Sequence, residues 1–187
     1  MRKMILFGLL AGVAAVASAC STLGAVGALL GNSVSFTAPQ LQGYLDRRFP
    51  RDYDKLGGLV TLSVLNPRLS IPKGSSRLRL DFDVGFGALG QDSRSPAGHF
   101  AVASGLRWNP QTRGLHLDAP TLESVDVPQL GGGMNATGRD LINRWLDAYA
   151  RDEPVYQFDP GLMQQLASRR IGSTTIANGQ VVVHLDQ

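Results

Sequence analysis

Cysteine is nearly missing from this chain. Among 187 residues there is one, Cys20. A single thiol excludes an internal disulfide framework. The three histidines, His99, His116 and His184, fall on separate stretches, and no H-x-x-x-H, C-x-x-C or clustered carboxylate set has the spacing of a metal site. No metal and no cofactor is expected. Alternation along their segments sets His116 and His184 opposite Leu115/Leu117 and Val183/Leu185, which predicts surface histidines.

Excess charge is missing too. The formal net charge is +3, but Arg2 and Lys3 head the chain; without them the 18 basic residues fall to 16 against 15 acidic ones, a formal +1. Arg47, Arg68, Arg79, Arg107 and Arg144 are scattered, and only Arg47-Arg48 and Arg169-Arg170 are adjacent. A near-neutral body without a basic stripe lacks the electrostatic footprint of a nucleic-acid binder.

Catalytic signatures are equally scarce. "GGGMNATG" is glycine-rich ahead of a helix, but it lacks the lysine and hydroxyl residue of a phosphate loop and follows no parallel βα unit. Asn135 or Thr137 there reads as a helix cap. Asp81 and Asp83 share a wet strand face with Arg79, so they read as solvated charges and not as an acid/base pair. The chain is expected not to be an enzyme. Beyond the first 19 residues no apolar run approaches the length of about 20 residues needed to cross a bilayer, and "LGAVGALLG" is short and broken by glycine.

What is present begins at the N-terminus. "MRK" is a positive n-region, "MILFGLLAGVAAVA" an apolar h-region, and "ASA" ends in small residues. This is the pattern of a secretory signal peptide over residues 1–19. Ordinary signal peptidase would cut after Ala19. The same cut makes Cys20 the first mature residue, and "ASAC" resembles the lipobox of bacterial lipoproteins, with Ala17 where leucine is usual. In such proteins the cysteine sulfur receives a diacylglycerol, and palmitate marks the anchor. Each buried methylene contributes about 0.8 kcal/mol, so several acyl chains hold permanently. Ser21 in place of aspartate implies, by the same resemblance, sorting to the outer membrane, with the body on the periplasmic face. Residues 20–35 then form the lipidated cysteine and a Gly/Ser-rich tether, with a reach of roughly 20 Å.

With 43% hydrophobic residues, 22 glycines and 10 prolines, the remainder suits one turn-rich globular domain, residues 36–187. "TAPQLQGYLDRRF" opens with the capping-box spacing Thr37…Gln40 and sets Leu41, Leu45 and Phe49 on one stripe, predicting a short helix that Pro50 ends. "LVTLSVLNPRLSI" alternates as a strand with a bend or bulge at Asn66-Pro67. "SRLRLDFDVGF" is the clearest strand: Leu78, Leu80, Phe82, Val84 and Phe86 face one way, and Arg77, Arg79, Asp81 and Asp83 the other. Two more strands, "HFAVASGLRW" and "RGLHLDAPTLESVDV", join through "NPQTRG", with a break at Pro120. A longer helix over about 134–151 carries Met134, Leu141, Ile142, Trp145, Leu146 and Tyr149 as a broad apolar stripe. A third helix, capped at Asp159-Pro160, is expected to bury Leu162, Met163 and Leu166. The end, around Asn178-Gly179, reads as a β-hairpin. The connections are too short for βαβ crossovers, so the strands form an antiparallel meander whose apolar face the helices cover, giving an α+β domain.

The order and pattern of "FTAPQLQGYLDRRFP", "LVTLSVLNPRLSI", "LRLDFDVGF", "LHLDAPTLESVDVP" and "LINRWLDAYARDEPVYQFD", behind a lipoprotein signal, resemble the YceB-like family of bacterial envelope lipoproteins over residues 34–186. The resemblance implies a tubular lipid-binding-like fold, in which a strongly curved antiparallel sheet wraps a long helix, here 134–151, and a lipid sits between them. Periodicity then places Leu80, Phe82, Phe86, Leu141, Trp145 and Tyr149 as the lining. Two readings of these residues stay open: a lined cavity for a lipid or other hydrophobic small molecule, or a filled core in a structural or protein-partner-binding lipoprotein. The expected partners are the membrane, through the anchor, and either that ligand or a protein.

Overall fold

The computed structural model describes residues 31–55, 60–88, 94–128 and 136–186. Cys20, the expected signal segment 1–19, residues 20–30 of the expected tether and the glycine-rich stretch 131–135, with Met134, lie outside them. No helix among the described residues is long and apolar enough to cross a membrane.

The domain is α+β. Its main sheet has six strands in sequence order, every neighbouring pair antiparallel: β2 Arg51–Lys55, β3 Val60–Ser70, β4 Leu78–Ala88, β5 Gly98–Asn109, β6 Gly114–Asp126 and the two-residue β7 Tyr156–Gln157. A second sheet has the order β1–β9–β8, with β1 Ser33–Thr37, β8 Arg170–Ala177 and β9 Gln180–Asp186. The helices are α1 Ala38–Asp46, α2 Ala136–Asp152 and the short α3 Pro160–Gln165.

Local chemistry explains most of these boundaries. Gln40 Oε1 accepts from the Thr37 backbone N–H at 2.8 Å, which makes Thr37…Gln40 a working cap for α1. Asp159 caps α3 by accepting from Leu162 N at 2.9 Å. Asn178 and Gly179 take φ of 52° and 73°, the left-handed pair that a two-residue hairpin turn with the strands' own twist requires. The bend at Asn66-Pro67 is a bulge: the β3–β4 register shifts between Leu65 and Arg68, and Asn66 sits at φ 45°. The backbone groups this bulge releases are satisfied from α1. The Gln42 amide donates to Pro67 O and accepts from Leu69 N, both at 2.6 Å, which fastens helix to sheet. Pro120 also disturbs its strand as expected, with a shift in the β5–β6 register beside it and Ala119 at φ 45°.

Two expectations are corrected and a third, the terminal hairpin, is extended. Residues 33–35 are not tether: Ser33–Thr37 pairs along β9, with Val34 opposite Val183 and Phe36 opposite Val181. Val34 and Phe36 are buried, so two apolar residues in a Gly/Ser-rich stretch are enough once a partner strand is there. The terminal hairpin is accordingly the rest of a three-stranded sheet. The third helix is short, ending at Gln165; only Leu166 is buried, while Leu162 and Met163 are half-exposed against the core.

The main sheet curls over the apolar side of α2. Ile142, Trp145, Leu146, Tyr149 and Ala150 are buried, whereas Arg139, Asp140, Asn143, Arg144 and Asp147 on the other side are exposed. The sheet thus cradles one side of the helix and leaves its charged side in water, the amphipathic split that 3.6-residue spacing dictates.

Where α2 ends, the chain turns back tightly on β6. Val155 N donates to Leu115 O at 2.8 Å, and Gly114 pairs with Gln157. A Cβ on Gly114 would lie 2.7 Å from Pro154 Cβ and 2.8 Å from Tyr156 O, in a buried crossing fixed by those bonds. Gly114→Ala is therefore expected to lower unfolding stability by about 1–3 kcal/mol, the usual cost of overpacking. Urea denaturation followed by tryptophan fluorescence should show a lower midpoint with an unchanged slope.

Candidate functional site

The helix–sheet interface is where the expected lining residues fall. Trp145 is its centre: 1% exposed, with its ring centroid 5.7 Å from Phe82, 5.5 Å from Phe100, 5.7 Å from Tyr53 and 5.3 Å from Tyr149. The first three contacts are edge-on, and Phe82 and Phe100 stack on each other at 5.2 Å. These are favourable arrangements for ring quadrupoles. Phe49, just beyond α1, closes the cluster against Phe82 and Tyr149.

Of the six residues read as lining, the structure brings Phe82, Trp145 and Tyr149 into mutual proximity. Leu80 is fully buried in the same core. Phe86 is half-buried at its margin, opposite Leu62. Leu141 lies on α2, but its side chain is outside the described residues. Sequence reading missed Tyr53 and Phe100. Phe100 stood on a recognised strand, with the same alternation as its neighbours, and was detectable. Tyr53 was not: β2 reads "RDYDK", and only pairing with β3 makes that polar run a strand.

Two polar atoms in this apolar setting are poorly partnered. Tyr53 Oη and Trp145 Nε1 are buried and make no well-formed hydrogen bond among the described residues, although the indole N–H is near enough to the phenol to favour its ionised form. Each such group costs about 1–3 kcal/mol relative to a satisfied one. Burial pushes the Tyr53 and Tyr149 hydroxyls up, Tyr149 far beyond any physiological pH, so both stay neutral. At the rim, Arg51 and Glu153 form an ion pair at 2.6 Å that joins the start of β2 to the end of α2. The Glu153 carboxylate holds the Arg51 guanidinium above its usual value.

The C-terminal end of α2 is capped by the sheet. Ala150 O, one of the carbonyls a helix end leaves unpaired, accepts from Arg107 Nη2 at 3.0 Å and from His116 Nδ1 at 3.1 Å. Arg107 and His116 are cross-strand partners on β5 and β6. Because a carbonyl only accepts, His116 carries its proton on Nδ1, and Nε2 accepts from the Thr112 hydroxyl at 2.7 Å. This corrects the expectation of a surface histidine. His116 is 0% exposed, since the last turn of α2 and the β5–β6 turn close over that end of β6. Alternation assumed one wet face, whereas Gly114–Leu117 is buried throughout. His99 is exposed, and His184 is half-buried with its Nε2 3.0 Å from Thr175 Oγ1. The wet face of the main sheet pairs its charges internally, Arg68 with Asp83 and Arg79 with Asp81 and Glu123, each at 2.9 Å. Among the described residues no group of three His, Cys, Asp or Glu side chains could hold a metal ion.

No protein-family model matches the chain, and no curated protein matches it.

The buried histidine sets a pH dependence. Desolvation, with Arg107 adding to it, holds the His116 pKa below the ordinary 6.5, while the Ala150 carbonyl, Asp152 and Glu153 oppose that shift. Below 6.5 the unfolded chain therefore binds a proton that the folded chain resists. Stability should be full above that pH and fall as pH drops through 6.5 towards the lowered folded value. His116→Gln, whose amide can still donate to Ala150 O, should flatten this slope in urea midpoints measured between pH 5 and 7.5, read as about one proton's linkage.

Proposed function

We propose that this chain is a non-catalytic envelope lipoprotein, anchored to the outer membrane through Cys20, whose packed periplasmic domain serves a structural role by holding a protein partner. The observation that carries the packed-core half of this reading is the filling of the helix–sheet interface by Trp145, Phe82, Phe100, Tyr53 and Tyr149, with centroid separations of 5.2–5.7 Å for the contacting pairs around Trp145 and Phe82. Those side chains take the volume that an acyl chain between helix and sheet would need. The anchor half rests on "ASAC", Ser21 and the resemblance to the YceB-like family of envelope lipoproteins.

A second reading, a carrier of a lipid or other hydrophobic molecule between sheet and helix, is favoured by one observation: Tyr53 Oη and Trp145 Nε1, which lie beside each other, are buried without a well-formed hydrogen bond among the described residues. An oxygen at the head of an apolar ligand would suit them.

The two readings separate cleanly. Chain matured at Cys20 and purified from membranes should carry only its anchor in native mass spectrometry and take up no fluorescent fatty acid. Stoichiometric lipid beyond the anchor, or saturable uptake, would replace the first reading by the second. Trp145→Ala should cost about 3–5 kcal/mol, as large aromatic truncations in filled cores do. A cost near zero in the same urea titration would mean the ring lines space. Palmitate labelling should vanish in Cys20→Ser, with the protein moving to the soluble periplasmic fraction.

A further inference from the structure

Away from the helix–sheet interface, three segments meet around an open cleft of about 790 Å³: the end of α1, the β5–β6 turn, and the stretch from the end of α2 to α3. Its walls hold three arginines and three acids. The acids are already engaged. Asp152 pairs with Arg151 at 3.0 Å, Glu153 pairs with Arg51 at 2.6 Å, and Asp159 caps α3. The arginines are not. Arg47, Arg48 and Arg113 are exposed and make no ion pair among the described residues.

Arg48 is nevertheless held in place. Its guanidinium lies 5.1 Å from the Tyr44 ring centroid, and Nη2 donates to Tyr44 Oη at 2.7 Å and to Gln157 Oε1 at 3.3 Å. That leaves its other N–H groups without acceptors among the described residues. Arg113 sits at φ 51°, a conformation for which asparagine or glycine is the low-strain choice, with its backbone O bound by Phe158 N at 2.9 Å. Three guanidiniums from two segments thus border one cleft whose acids already have partners in Arg151, Arg51 and the first turn of α3. Between them Tyr44, Pro154, Phe158 and Met163 supply an apolar lining.

We propose that this cleft is the docking site for the partner of the preceding reading, on which the proposal rests, and that the partner presents an acidic segment with an apolar side chain between its carboxylates. The cleft and such a segment are complementary in charge. Planar guanidinium forks bind carboxylates in pairs of parallel hydrogen bonds. Three of them around a short apolar floor match a run of alternating acidic and apolar residues better than a single anion.

The test uses the mature chain in detergent and a short fluorescein-labelled peptide alternating Glu with Leu, beside its Gln-for-Glu and Lys-for-Glu counterparts. The Glu peptide should bind saturably in fluorescence polarisation and weaken as salt rises, while the other two do not bind. Amide shifts should concentrate at 44–48, 111–113 and 157–163. Arg47→Glu with Arg113→Glu should weaken binding roughly tenfold or more. Their side chains make no described hydrogen bond or ion pair, so the melting temperature should hold; Arg144→Glu on the exposed side of α2 should leave binding unchanged. Binding unaffected by the double variant, shifts elsewhere, or no binding at all would overturn the proposal. So would sedimentation with phosphatidylglycerol vesicles that the double variant abolishes while the Glu peptide fails to bind, which would make the cleft a membrane contact. If a photocrosslinker elsewhere on the surface traps a specific partner while the cleft stays inert, the partner-binding reading stands and the cleft proposal alone falls.

Discussion

The seating of Trp145 in the sheet is the contact on which the rest of the domain depends. One indole on α2 touches β2 through Tyr53, β4 through Phe82 and β5 through Phe100, and touches the next turn of its own helix through Tyr149. A meander of consecutive hairpins has no covalent reason to curl. Here a single bulky side chain offers apolar surface to three of its strands, β2, β4 and β5, and so ties non-adjacent strands to one point on the helix. Phe49 then brings the end of α1 to the same cluster. The helix is fixed at its far end by hydrogen bonds, Arg107 and His116 sharing the Ala150 carbonyl. Packing sets the depth of the helix, and the shared carbonyl sets its position along the axis.

A second aromatic group joins the two sheets. Phe36 of β1 lies 4.8 Å from Tyr156 and 5.1 Å from Phe158, and Trp108 of β5 lies 4.7 Å from Phe158. The segment following α2 therefore does three things at once. It adds β7 to the main sheet, supplies the rings that meet β1, and forms one wall of the arginine-bordered cleft. That cleft exists because α1, the β5–β6 turn and this segment converge for reasons of core packing.

The parts of the fold with strong local chemistry were legible in the sequence. The capping box at Thr37, the bulge at Asn66-Pro67, the alternation of β4 and the Asn178-Gly179 turn each act within a few residues, so sequence spacing carries them. The short, polar or weakly patterned strands were not legible. β1, β2 and β7 exist because a neighbour's unpaired backbone is beside them, and Arg51–Lys55 has no pattern of its own that announces it. Likewise three of the residues read as lining the interface do meet there, because they share a periodic face. Tyr53 reaches the same place by a pairing that no periodicity reports.

By itself the sequence determined the element types in the body, the antiparallel meander and the apolar faces, since these follow from periods of 2 and 3.6 and from turn residues. It also holds the whole case for the proposed anchor, which rests on the N-terminal pattern ending at Cys20. Only the tertiary structure decided that His116 is buried, that Trp145 fills the space between helix and sheet, and that Arg47, Arg48 and Arg113 border one cleft. The physical reason is the same for all three. Burial and charge pairing depend on which distant segments pack together, and residues separated by more than sixty positions, such as Arg47 and Arg113, become neighbours only when the core that joins their segments has formed.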